Sequence, residues 1–207
     1  IDYSKIGVVH SDAKKIANNY HRIAHHNPKT DKAYRQLAKE INEQYDYLTE
    51  ELGVNVEATP TDPYPSAKEM MEDVRKNNRL RVLSAESTGG GHATVDNDTI
   101  NKFRAVHDFF GHAATGRDFS RHGEEAAWIS HSQMFSPLAR LAMTSGTRGQ
   151  NSVLTVEQNG FPEQKSDILD PEWIFLPEQF GGDEQDRRDI LNAIASLDEG
   201  IPNAGTE

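Results

Sequence analysis

Residues 99–135 read TINKFRAVHDFFGHAATGRDFSRHGEEAAWISHSQMF. Apolar spacing predicts one helix over 99–115 and a second over 122–135. Between them lie His107, Asp108, His112, Asp118, His122, Glu124, Glu125 and His131, the densest set of potential ligands in the chain. Phe103, Val106, Phe110 and Ala113 give the first helix an apolar side. Residues four apart share a helix face, so Asp108 and His112 project together, with His107 about 100° round from Asp108. Gly111 removes a side chain beside His107 and allows a close approach. On the second helix Glu124, Trp128, His131 and Phe135 follow one another along a single face. A carboxylate and an imidazole beside a tryptophan are unusual on a solvated surface. The two helices are expected to bring His107, His112, Glu124 and His131 into one pocket.

Outward from this pair the pattern stays helical. A helix is predicted over 11–26, capped by Ser11 and stopped at Asn27-Pro28. A second, over 31–52, follows Thr30 and ends before Gly53, making an antiparallel hairpin with the first. Residues 54–66 read as an extended proline-bearing linker, Ser66 caps a helix over 67–77, and a strand follows at about 80–85. The loop at Gly89-Gly90-Gly91 lacks the Lys-Ser/Thr of a phosphate-binding loop. Asp98 is the expected cap of the helix at 99–115. Ser136-Pro137 opens another helix over 137–145. A strand at 153–156, a last helix over 183–197 and a loose tail complete the reading. Trp173, Phe175 and Phe180 are expected packing anchors for the C-terminal segment. The expected fold class is mainly α, a single helical domain with a minor β element. Its parts are an N-terminal hairpin (1–53), linker, short helix and strand (54–98), the site helices (99–152) and a C-terminal wrap (153–207).

Composition narrows the chemistry. With 207 residues the chain has the size of one ordinary domain. A formal net charge of −11 argues against non-specific nucleic-acid binding, which needs a basic footprint. No apolar run reaches the length of a membrane span, and the first residues lack a signal-peptide pattern. With Ile1 in first place, the chain reads as a processed, trimmed or partial product. There is no Cys, so disulfides, thiolate nucleophiles and zinc–thiolate sites are excluded. Any transition-metal site must then use imidazole and carboxylate. Two His and one carboxylate with open coordination positions suit non-haem iron(II) oxygen chemistry. The same set could hold zinc or manganese and activate water.

His107, His112, Glu124 and His131 are therefore the candidate metal ligands, and Asp108, Glu125 and Arg148 the candidate catalytic groups. Asp108 is expected to orient a ligand imidazole by accepting its other N–H. Arg148 offers a fork for an anionic group of a small-molecule substrate. The bland alternative is a buried polar network in which Arg148 pairs with Glu124 or Glu125. His122 reads as a solvated loop residue.

Across nearly its whole length the chain resembles a domain of unassigned activity that recurs in bacteriophage proteins. The resemblance is carried by Pro63-Tyr64-Pro65-Ser66, residues 103–116, Gly123–Trp128 with His131, residues 134–140, Thr147–Ser152 and Pro162–Lys165. It implies a phage origin, with the host cytoplasm or the virion as location and other phage proteins as partners. It departs from that pattern at Gly146, where a glutamate is expected. His107 to His112 is also similar to the His-x4-His iron motif of pterin-dependent aromatic amino-acid hydroxylases. That likeness implies His107 and His112 as iron ligands, with Glu157 of Thr155-Val156-Glu157 or Glu124 as the third. His107-Asp108 resembles the metal-binding pair of HD-type phosphohydrolases, which also requires an upstream His and a downstream Asp, for which His92 and Asp118 are available. Three functions follow as expectations: a mononuclear iron oxygenase, an HD-type phosphohydrolase, or a non-enzymatic virion-associated protein.

Overall fold

A computed structural model describes residues 1–199. The tail expected to be loose, residues 200–207, lies outside the described residues. The fold is built around α5 (Arg121–Ser132), in which Ala126, Ala127, Trp128 and Ile129 have no exposed surface. Four consecutive enclosed residues mean that the helix is covered on every side. α6 (Pro137–Thr144) follows it, equally buried at Leu141 and Met143. Ser136 Oγ accepts from the Ala139 N–H at 3.3 Å and Pro137 occupies the first turn, so this start is as the sequence predicts. α2 (Asp31–Asp46) and α8 (Glu184–Ser196) pack on α6 and α7 (Gln150–Glu157) on α5, while α1 (His10–Arg22) packs on α7 and α4 (Asn97–His107) on α2. The architecture is mainly α with a minor β element. No helix among the described residues is long and apolar enough to cross a membrane.

The β element lies elsewhere than predicted, apart from the strand expected at about 80–85. The segment read as a linker contains β1 (Asn55–Thr59), which pairs in parallel with β2 (Arg79–Leu83) in the register Asn55 to Arg79. β1 is mostly exposed, and its short alternation of Val56 and Ala58 runs straight into Pro60, Pro63 and Pro65, which mark the stretch as a linker. The crossover is α3 (Ala67–Asn77), capped by Ser66 as expected. Asp73 on α3 ties the unit together. It accepts from Tyr64 Oη at 2.8 Å, Asn77 Nδ2 at 2.6 Å and Arg79 Nε at 3.1 Å.

Other expectations are corrected. The strand predicted at 153–156 is part of α7. Val153 is buried and Val156 half-buried in α7, which packs on α1, and this tertiary burial overrides their strand preference. Helix α1 starts at His10 without a side-chain cap, so Ser11 does not cap it, and it stops at Arg22. Asp96, not Asp98, caps α4 by accepting from the Thr99 N–H. Trp173, Phe175 and Phe180 do pack on the core. The segment leading to them is locked by Lys165, whose Nζ donates to the carbonyls of Tyr20, His21 and Ile23 at the end of α1.

Three helices continue into wider π turns, at Tyr47–Glu51, Asp108–Ala113 and Ser145–Gly149. In the second, the Ala114 N–H donates to the carbonyl of Phe109, five residues back. This turn lies directly on α5 at Gly111. A Cβ added to Gly111 would stand 2.9 Å from Ala127 Cβ and 3.3 Å from Ala127 O. The close approach expected of Gly111 is therefore to another helix. Gly111→Val should cost about 2–3 kcal/mol through overpacking, lowering the thermal midpoint by roughly 5–10 °C. A midpoint within 1 °C of wild type would show that the contact is slack.

Candidate metal centre

The π turn decides the geometry. On an ideal α-helix His107 and His112 would point about 140° apart. With hydrogen bonds closing five residues back, a residue and its fifth successor lie one above the other. The two imidazoles accordingly meet at a ring-centroid distance of 5.4 Å, edge to face. Glu124, in the first turn of α5, reaches between them. Its Oε2 is 3.5 Å from His107 Nε2 and 3.3 Å from His112 Nε2. One ligand atom from each of His107, His112 and Glu124 lies within 4.8 Å of the others.

Each donor is held from behind. His112 has no exposed surface, and its Nδ1 is 3.2 Å from the carbonyl of Arg117. A carbonyl only accepts, so Nδ1 carries a proton and Nε2 is the nitrogen turned toward Glu124. That Nε2 is not aligned for a hydrogen bond with Glu124 and has no hydrogen-bond partner among the described residues. Asn151 Nδ2 donates to Glu124 Oε2 at 2.9 Å. Burial alone would raise the Glu124 carboxyl, but the two imidazoles facing it outweigh that and hold the group down at about 2. Burial likewise opposes charging of His112, yet its contact with Glu124 carries it above the usual range.

His107, Glu124 and Asp108 line a cavity of 420 Å³, and His112 closes the cluster from behind. The walls include Leu37, Ile41, Tyr64, Arg81, His92, Phe103 and Phe119. The volume is that of a small-molecule site. Gly146 also lines it, and a Cβ there would meet only Phe103 Cε1 at 3.7 Å.

The remaining expected site residues fall into two groups. His131 is in the cluster's immediate surroundings but not in its ligand set. Its Nδ1 is 3.2 Å from His107 Nδ1, and its Nε2 is 2.7 Å from Gln44 Oε1. Burial, then the neighbouring imidazoles, push it well below the ordinary histidine range. Asp108 faces the cavity, and burial raises its carboxyl to about 6. Among the described residues it accepts from neither imidazole, so the orienting role expected of it falls to the Arg117 carbonyl and to His131.

Glu125 and Arg148 lie away from the cavity wall. Arg148 binds Glu125 through Nη2 at 2.5 Å and Nε at 3.2 Å, donates to the Trp173 carbonyl at 2.8 Å, and stacks 4.2 Å over Trp128. Arg121 binds the same carboxylate at 2.8 Å. Of the two readings of Arg148, this geometry realises the rigidifying pair, and the anion-binding fork is not at the cavity. Glu157 pairs with His21 on the far end of α7, and Asp118 with Ser120. Neither joins the cluster. His122 is exposed, as expected, but lies in the first turn of α5 rather than in a loop, and its Nδ1 accepts from the Val8 N–H. Sequence reasoning missed Gln44, Asn151 and the Arg117 carbonyl, which come from distant segments or from the main chain and carry no signal in spacing.

No protein-family model, curated protein or solved structure matches the chain.

Two outcomes follow from these contacts. Arg148→Met leaves Glu125 buried with one partner and should cost about 3 kcal/mol in a denaturant titration, whereas a loss below 0.5 kcal/mol would mark the pair as idle. His92 Nδ1 accepts from the N–H groups of Thr94 and Val95, and burial lowers its pKa from 6.5 to about 4. The unfolded chain takes up this proton first, so the stabilisation is complete above pH 6.5 and declines as the pH falls toward 4. His92→Asn should flatten the dependence of urea midpoint on pH across that window, and an unchanged slope would remove His92 from the account.

Proposed function

We propose that His107, His112 and Glu124 hold one divalent transition metal and that the chain is a metal-dependent enzyme acting on a small molecule admitted to the cavity. The supporting observation is the convergence of two imidazole nitrogens and a carboxylate beside the cavity, with His112 Nε2 buried and without an aligned hydrogen-bond partner among the described residues. A buried polar atom without a partner costs about 1–3 kcal/mol, which a cation between the three donors would relieve. Two imidazoles and one carboxylate would leave coordination positions open for a small molecule in the cavity that His107 and Glu124 line. This donor set favours iron(II), which would supply oxygen activation when bound. Zinc or manganese would supply a Lewis acid or an activated water there. The HD-type alternative has less support, because Asp108 is not in the converging set. The cavity above the cluster weighs against a purely structural polar network.

The test is anaerobic loading with Fe(II), Mn(II) and Zn(II), followed by metal analysis after gel filtration. About one Fe(II) per chain is expected, lost in His112→Ala and in Glu124→Ala but kept in Arg148→Lys. An Fe(II)-loaded chain should give the quartet electron-spin signal of an iron–nitric oxide adduct, since open positions are predicted. Sub-stoichiometric binding of all three metals, unchanged by those substitutions, would end this reading.

A further inference from the structure

Behind His107 runs a chain of hydrogen bonds that leads away from the cavity into the core. Gln44 Nε2 lies 3.2 Å from the Met134 carbonyl, Gln44 Oε1 lies 2.7 Å from His131 Nε2, and His131 Nδ1 lies 3.2 Å from His107 Nδ1. Its direction can be read from the far end. The Met134 carbonyl can only accept, so the Gln44 amide must turn its NH2 toward it. Gln44 Oε1 is then the acceptor and His131 Nε2 the donor. His131 has no exposed surface and packs against Phe103, Phe110 and Phe135, with no carboxylate beside it. A second proton there would be an uncompensated buried charge. His131 Nδ1 is therefore a bare acceptor, and the proton in the last link belongs to His107 Nδ1.

We infer that Gln44 and His131 form a relay that fixes a proton of His107 at Nδ1 and so aims its Nε2 at Glu124 and His112. Both are positioning residues: they act through His107 and touch neither the cavity nor the cluster's meeting point. The relay completes a symmetry of function. Arg117 O sets His112 from one side, Gln44 and His131 set His107 from the other, and both rings present Nε2. This inference deepens the metal-centre reading and takes its purpose from it. The Nδ1 proton of His107 holds with or without a metal; without one, His107 Nε2 lies 3.5 Å from the Glu124 carboxylate, a contact that a bound cation would replace.

Long-range 15N–1H NMR of the histidine rings in the full chain, at pH 8 without metal and again with one equivalent of Zn(II), reads those positions. The expected result is His107 and His112 protonated at Nδ1, with His131 protonated at Nε2 and bare at Nδ1. A bare His107 Nδ1 in the metal-free chain overturns the relay. His131→Phe fills the same aromatic recess but removes the acceptor, and should lower Zn(II) affinity roughly 10- to 100-fold while leaving the circular dichroism spectrum unchanged. Unchanged affinity also overturns it. Should that variant not fold, Gln44→Leu serves: loss of a single His107 tautomer is expected, and retention of one counts against the relay. Wild-type rings with the expected protons but no bound Zn(II) would sink the metal reading and leave the relay standing. Bound Zn(II) with His107 protonated at Nε2 would do the reverse.

Discussion

The contact of Gly111 with Ala127 is the constraint from which the centre follows. It lets the backbone of one helix lie against the Cβ of another, at a separation no side chain at position 111 would permit. The turn that makes this contact is wound with five-residue closure, which brings His107 and His112 onto one side. Glu124 sits three residues before Ala127 on the same helix, so the approach that seats the turn also delivers the carboxylate between the imidazoles. Packing and site geometry are here one event.

Two adjacent glutamates on α5 have opposite surroundings. Glu124 points at the imidazoles and the cavity, whereas Glu125, about 100° round the helix, points at Arg121 and Arg148. Both carboxyls are held ionised against their burial, the first by imidazoles and an amide, the second by two guanidinium groups. The Glu125 triad fastens α5 to the π turn at Ser145–Gly149 and, through Arg148, to the segment carrying Trp173. A buried ion pair is a weak source of net stability, but its loss leaves a charge stranded, so it enforces one arrangement of these elements. The wall of the cavity opposite the cluster comes from the β1–α3–β2 unit, where Tyr64 and Arg81 are fixed by Asp73.

The sequence by itself determined the helical class, the start of α6 at Ser136-Pro137, the Ser66 cap, and the fact that any metal site must be built from imidazole and carboxylate. These are local matters: apolar period, capping chemistry and the absence of Cys act within a few residues of one another. It also grouped His107, His112, Glu124 and His131, because they crowd two neighbouring helices, without separating His131 from the three that converge. The convergence itself was reached by a geometry the sequence does not announce. Ideal helical spacing pairs Asp108 with His112, and the π turn replaces that pair by His107 and His112.

Tertiary structure alone decided the rest. Which imidazoles point at Glu124 and which stands behind depends on Gln44, 63 positions before His107 in the chain. Arg148 was legible as a paired or a free cation, and only the approach of Trp173 and Glu125 settled it as paired. The strand β1 and the helical state of residues 153–156 likewise depend on partners far along the chain, parallel pairing in one case and burial against α1 in the other. Local propensities differ by fractions of a kcal/mol per residue, and long-range contacts that remove whole side chains from water outweigh them.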